Sequence, residues 1–359
     1  MVISIHCNTK KQKCQDRTLH GELANKWTPK KMYSLWLSDV YMRLGYRGKS
    51  LNVAECGSFL EFCKPVPSVD AFAANTSQQG STSDGWKLQQ ANFCRDRLCP
   101  MCQWRRTLKV FSQVSRIMDV IGADNNFLFL TLTVPNCSGR DLSVTIDKIQ
   151  KAWDRFTHYK KYKNAVNGYF KALEITYNSE TDTYHPHLHI ILSVDPDYFT
   201  SDKYIDQSSP NFEWTKMWQK ALKSQKQPIV DVRRVKPKNA EGERAVKSLA
   251  SAVAEVSKYS VKSSDYLRKD INCDKVVNTL MIALSGRRLC SFGGLFENVR
   301  KALKLDDYED GDLIHIDGTE MRQDVAYMIR RYNWSCGSYK LLDVSTVGSN
   351  EVNEYEMQY

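Results

Sequence analysis

Apolar residues along this chain recur at two periods, and the changes between them mark out strands and helices. Residues 103 to 121 carry apolar positions at helical spacing (Trp104, Leu108, Val110, Phe111, Val114, Ile117), and 142 to 163 and 211 to 224 read as further helices. Phe127-Leu-Phe-Leu-Thr-Leu-Thr-Val134 is a β-branched and aromatic run stopped by Pro135, which suits the centre of a sheet. Gly168 to Tyr177 and Tyr184 to Leu192 read as two strands joined by the polar turn Asn178-Ser-Glu-Thr-Asp-Thr183, and Ile229 to Val235 as a fourth. The pattern predicts a last helix from Ala240 to Lys262, with Val246, Leu249, Val253 and Val256 as its stripe. A helix near Pro29 to Leu44 is the one element expected in the polar, basic first 50 residues. Residues 66 to 85, rich in Ser, Asn, Gln and Gly, read as a loop.

The second hairpin strand carries unusual chemistry. His185, His187 and His189 sit at period two, so a strand sends all three to one face. A row of buried imidazoles is costly to desolvate unless something coordinates it. Neutral imidazole is a good ligand for divalent metals near physiological pH. A hairpin closing symmetrically about residues 180 and 181 places Glu174 opposite His187 and adds a carboxylate to the set. Such a mixed site suits Mg²⁺ or Mn²⁺ in a nuclease, or Zn²⁺ in a hydrolase.

Charge and cysteine usage narrow the setting. The chain of 359 residues has a formal net charge of +10 and a pI near 8.9, which favours a polyanionic partner. No apolar stretch approaches the length of a transmembrane helix, and the N-terminus lacks the order of a signal peptide. The eleven cysteines are therefore expected in a reducing cytoplasm, as ligands or free thiols. Cys94, Cys99 and Cys102 have C-x4-C-x2-C spacing, and the Cys-Pro-x-Cys turn resembles a zinc knuckle. A fourth ligand for tetrahedral zinc comes from Cys56 or Cys63. Cys56 is favoured because the glycine after it permits a tight turn.

Towards the end of the last predicted helix comes Glu255-Val-Ser-Lys258-Tyr259-Ser-Val-Lys262. Helical offsets of four and three put Glu255, Tyr259 and Lys262 on one face. A tyrosine hydroxyl, with a pKa of about 10, is a weak nucleophile until a metal polarises the phosphate it attacks. Tyr266, seven residues on, is an alternative nucleophile if the helix continues.

The order of Phe129-Leu-Thr-Leu-Thr, then His-Pro-His-Leu-His, then Glu-x-x-Lys-Tyr-x-x-Lys resembles the replication initiators of small rolling-circle plasmids, in the HUH endonuclease superfamily. Phe-Cys-x-x-Arg-x-Cys-Pro-x-Cys with Trp104-Arg105-Arg106 resembles the family's upstream segment, and Ala283-Leu-Ser-Gly-Arg287-Arg288 with Gly293 and Gly294 its downstream one. The likeness covers roughly residues 50 to 345.

The resemblance implies an α+β fold, with a central antiparallel sheet of the HUH type, flanking helices and a Cys-rich zinc-binding module. It implies a nickase-ligase in which His187 and His189 hold Mn²⁺ or Mg²⁺, with Glu174 or His185 as a further ligand. Tyr259 would attack the scissile phosphate at the double-strand origin, keep a 5′-phosphotyrosyl link and free a 3′-hydroxyl primer. Glu255 would activate water for the terminating cleavage. Lys262 or Lys258 would steady the phosphate. Structural Zn²⁺ would sit on Cys56, Cys94, Cys99 and Cys102. Arg105, Arg106, Lys258, Arg287 and Arg288 are candidate DNA contacts, with Lys236 and Lys238.

Four segments are expected: a basic extension (1–50), the zinc module (51–115), the catalytic domain (116–272) and an accessory region (273–359). The partners implied are plasmid origin DNA, single-stranded or as an extruded hairpin, host helicase and polymerase, and a second copy in a homodimer; no membrane is expected. Two other readings compete. One is an HUH relaxase or transposase. The other is a non-catalytic zinc-dependent DNA-binding regulator whose histidines are structural.

Overall fold

The computed structural model describes residues 18–66, 85–236, 247–258, 261–316, 321–322 and 325–348. In chain order the elements are α1 (Gly21–Arg43), α2 (Arg47–Glu55), β1 (Phe59–Pro65), β2 (Lys87–Ala91), α3 (Pro100–Ile121), β3 (Asn126–Thr133), α4 (Leu142–Thr157) and α5 (Lys160–Ala165). There follow β4 (Gly168–Asn178), β5 (Thr183–Val194), α6 (Glu213–Leu222), β6 (Val230–Lys236), β7 (Lys247–Ser248), α7 (Leu249–Val256) and α8 (Ser263–Tyr266). The last are α9 (Cys273–Leu284), β8 (Cys290–Gly294), α10 (Leu295–Ala302), β9 (Tyr327–Ser335) and β10 (Ser338–Val347). The fold is α+β, as expected. The chain groups into two compact units. One comprises Met1–Asp39, Arg47–Cys102 and Leu313–Tyr359; the other comprises Val40–Tyr46 and Gln103–Asp312.

The second unit is built on a six-stranded sheet in the order β7-β6-β3-β5-β4-β8, antiparallel except for the short parallel pair β6–β7. β3 is central because its apolar run can be buried on both faces. Phe127 and Phe129 join a cluster with Val110, Val114, Ile117, Met118 and Ile121 of α3, Val253 and Val256 of α7, and Phe296 of α10. That stripe on α3 is narrower than predicted, since Leu108 and Phe111 are exposed. On α4, Leu142, Ile146, Ile149, Trp153 and Phe156 form an i, i+4, i+7 stripe, all buried. Each contributes roughly 1.5–3 kcal/mol of apolar burial. Phe156 meets Trp214 and Trp218 of α6, and the Trp218 indole donates to the Thr133 carbonyl at 2.9 Å.

Three predicted helices have different limits. α1 starts at Gly21 rather than Pro29, its first turn carrying Glu22 paired with Lys26 one turn on. The helix predicted over 142–163 is two helices. At its break Thr157 Oγ1 and His158 Nδ1 both bond the Asp154 carbonyl, and Tyr159 turns extended. Among the described residues, the helix predicted over 240–262 is α7 alone. There the Ser257 hydroxyl donates back to the Val253 carbonyl at 2.6 Å, and Lys262 is extended. Val246 lies outside the described residues, as do 67–84, most of the predicted polar loop.

At the sheet edge, β8 approaches β4 through glycines. A Cβ on Gly294, at φ +56°, would stand 2.3 Å from the Asn167 carbonyl oxygen. This gives Gly293-Gly294 a backbone role. The first unit carries a four-stranded antiparallel sheet, β10-β9-β1-β2, that the hydrophobic pattern did not predict. Arg331 of β9 lies opposite Glu61 of β1 and Asp343 of β10, and pairs with both at 2.6 and 2.7 Å. Among the described residues no helix is long and apolar enough to cross a membrane.

Candidate metal centres

The β4–β5 hairpin puts Glu174 directly across from His187 and Ala172 across from His189. On the other side of β5, Thr131 pairs with His189 and Thr133 with His187. Pro186 falls between that last β3 pair and the isolated Cys137–Tyr184 bridge, a gap where its missing N–H disturbs no β3–β5 ladder bond. The strand therefore stays straight enough to keep the imidazoles in a row. Ring centroids are 5.2 Å apart for His185 and His187, and 4.8 Å for His187 and His189.

Glu174, His187 and His189 bring one ligand atom each within 4.8 Å of one another. Glu174 Oε2 lies 3.0 Å from His189 Nε2 and 3.6 Å from His187 Nε2. The His185 carbonyl can only accept, so the 3.0 Å contact makes His187 Nδ1 the donor and turns Nε2 towards the carboxylate. His189 Nδ1 is held by Thr131 Oγ1 at 3.2 Å. Burial would raise the Glu174 pKa, but hydrogen bonds and charge from His187 and His189 hold it well below the usual carboxylate range. A buried carboxylate beside two oriented imidazoles fits a divalent cation. His185 is not in this trio. Its Nε2 is buried with no hydrogen-bond partner among the described residues, and burial followed by the His187 charge lowers its pKa.

The chain on both sides of Tyr259 reaches this trio. Glu255 Oε1 is 3.9 Å from His189 Nε2, and Glu255 Oε2 accepts from Lys258 Nζ at 2.6 Å. Lys262 Nζ is 3.3 Å from Glu174 Oε1. This convergence does not come from one helical face, because α7 ends at Val256. Tyr259 itself lies outside the described residues. Tyr266 is fully buried and donates to Gln103 Oε1 at 3.2 Å, which takes it away from any substrate. Two neighbours escaped the sequence reading. Thr131 could have been found by pairing β3 against the histidine strand. Asp265, whose carboxyl burial pushes up against the pull of Lys262, carries no local signal.

The second centre gathers Cys56, Cys94, Cys99 and Cys102. Cys56 Sγ and Cys94 Sγ lie 3.5 and 3.8 Å from Cys102 Sγ. A tetrahedral site with Zn–S of about 2.3 Å needs sulfurs roughly 3.8 Å apart, so the four fit zinc. Gly57, at φ +63°, makes the turn after Cys56 and donates to the Asn92 carbonyl at 2.7 Å. The backbone N–H of Cys94 points at Cys56 Sγ and that of Arg95 at Cys102 Sγ, as thiolate acceptors require. Cys63 is elsewhere, packed among Met321, Tyr327, Ile329 and Val347.

The candidate DNA contacts are largely engaged within the fold. Arg105 and Arg106 are buried, and Arg106 donates to the Glu309 carbonyl. Arg287 pairs with Asp147 and bonds Ser143, while the more exposed Arg288 pairs with Asp307. Lys238 lies outside the described residues. Asp306, exposed at the start of the acidic stretch, accepts from the buried Lys109 at 2.6 Å.

Residues 85–340 match the family described as Replication protein. The chain is 36% identical over 306 residues to a "Protein rep" of Streptococcus pneumoniae serotype 2, covering 84% of this chain and 86% of the relative. It is 36% identical over 308 residues to a "Protein rep" of Lactiplantibacillus plantarum, covering 84% and 89%. A "Protein rep" of a Bacillus species is 42% identical over 242 residues, covering 64% and 77%. No solved structure matches the chain.

Proposed function

Because the chain belongs to the Rep family of plasmid replication proteins, we propose that it is a metal-dependent, single-tyrosine DNA nickase that initiates rolling-circle replication. The observation that carries this reading is the meeting of Glu255 and Lys262, from either side of Tyr259, with Glu174, His187 and His189. Mn²⁺ or Mg²⁺ held by those three would polarise the scissile phosphodiester and stabilise the charge that builds on it.

Tyr259 supplies the nucleophile. Its phenolic oxygen bonds to phosphorus, the bond from phosphorus to the 3′-oxygen breaks, and the proton lost by the phenol balances the one gained by the 3′-hydroxyl. The 5′-phosphate stays on the protein, and the 3′-hydroxyl is left to prime a host polymerase behind a host helicase. Lys262, beside the Glu174 carboxylate, offsets negative charge where the phosphate enters. Thr131 holds the His189 ring in its working orientation. Glu255, ion-paired with Lys258, takes a proton from water in the terminating cleavage. The four cysteines hold a structural Zn²⁺, since four protein ligands leave no open position for chemistry.

Incubating single-stranded origin DNA with the protein in Mn²⁺ or in EDTA, followed by a denaturing gel, tests this reading. Cutting is expected only with the cation. Cleavage undiminished by EDTA, or no cleavage by folded, zinc-loaded protein, would overturn it.

A further inference from the structure

Lys31 is a buried ammonium with no carboxylate at ion-pair distance among the described residues. It lies on α1 with 1% of its surface exposed, and Nζ donates to the Ala54 carbonyl at 2.5 Å and the Cys56 carbonyl at 2.9 Å. Isolating a cation from water is costly unless negative charge shares the site. Glu55, the residue between its two carbonyl partners, is exposed and accepts from Ser58. One turn along α1, Ser34 Oγ sits 3.4 Å from Cys99 Sγ, so the same helix face meets the cysteine cluster twice.

Four thiolates around Zn²⁺ leave two net negative charges in a dry interior. Backbone N–H groups of Cys94 and Arg95 spread part of that charge. We infer that Lys31 is the fixed counter-cation of this tetrathiolate site, retaining the metal by offsetting thiolate charge. The inference rests on the zinc reading of the four cysteines. It gives a physical reason for burying a lysine that has no carboxylate at ion-pair distance among the described residues. A cation beside the cluster would also lower the thiolates' tendency to take up protons and leave the metal.

The test uses the full chain as wild type, Lys31→Met and Lys31→Arg, with zinc per chain measured by elemental analysis and zinc transfer to a chromogenic chelator timed at fixed pH. Lys31→Met is expected to release zinc about 10- to 100-fold faster, and Lys31→Arg to stay near the wild-type rate. Wild-type release by Lys31→Met would overturn the inference. If Lys31→Met loses its zinc during purification, Lys31→Arg decides: retention supports the charge role, and equal loss overturns it. Wild type that carries no zinc would sink the zinc reading itself, a result distinct from either.

Discussion

Glu174 and His187 are partners across the β4–β5 ladder, with 3.6 Å between Oε2 and Nε2. The pairing fixes a carboxylate beside both ring nitrogens of the His187-Leu188-His189 run on rigid sheet backbone. Replacing Glu174 with Ala removes one ligand without disturbing the hairpin. We expect Mn²⁺-supported nicking to fall about 10- to 100-fold at limiting metal, with binding of origin DNA retained. A Mn²⁺ titration of nicking rate checks this, and a wild-type titration curve would show that Glu174 holds no metal.

This pair was legible in the sequence because a hairpin is local: a turn centred between residues 180 and 181 puts Glu174 across from His187 whatever the rest of the chain does. The first unit's sheet was not legible for the opposite reason. Glu61 and Arg331, an ion pair 270 residues apart, belong to short strands whose partners no local period reveals. The sequence puts Glu255 and Lys262 on one helical face, but α7 ends at Val256 and Lys262 is extended, so its approach to Glu174 does not come from helical periodicity. Lys31 gave no signal, because a lysine on a polar helix looks the same whether solvent or a thiolate cluster faces it.

The two cysteines that compete for the fourth zinc position separate cleanly. Cys56→Ser is expected to lower zinc content and destabilise the first unit. Cys63→Ser, outside the cluster, should keep the full wild-type complement. Elemental analysis of both purified variants distinguishes them; equal zinc loss in both would mean the site is not the one formed by Cys56.

Lys171 gives a prediction about pH. Its ammonium is buried on β4, donates to Gln150 Oε1 at 2.5 Å and lies 5.6 Å from the Trp153 ring centroid. Burial pulls its pKa from 10.5 down to about 8, against the attraction of Asp154. Between those values the unfolded chain binds more protons than the folded one, so this lysine makes stability rise with pH across that window. Lys171→Met should therefore be more stable than wild type at pH 7, by up to about 3 kcal/mol less the lost Gln150 contact. Its advantage should shrink between about pH 8 and 10.5. Urea midpoints at pH 7 and pH 9.5 measure it, and a gap that does not change with pH would mean the ammonium is not the destabilising element.

Tyr259 stands in sequence between two side chains, Glu255 and Lys262, that meet the histidine cluster. Wild type and Tyr259→Phe should be incubated side by side with labelled single-stranded origin DNA in Mn²⁺ and run on a denaturing gel. Wild type is predicted to leave a covalent protein–DNA band and a free 3′-hydroxyl fragment, and Tyr259→Phe to bind the DNA but form neither. An adduct of normal yield from Tyr259→Phe would contradict the account.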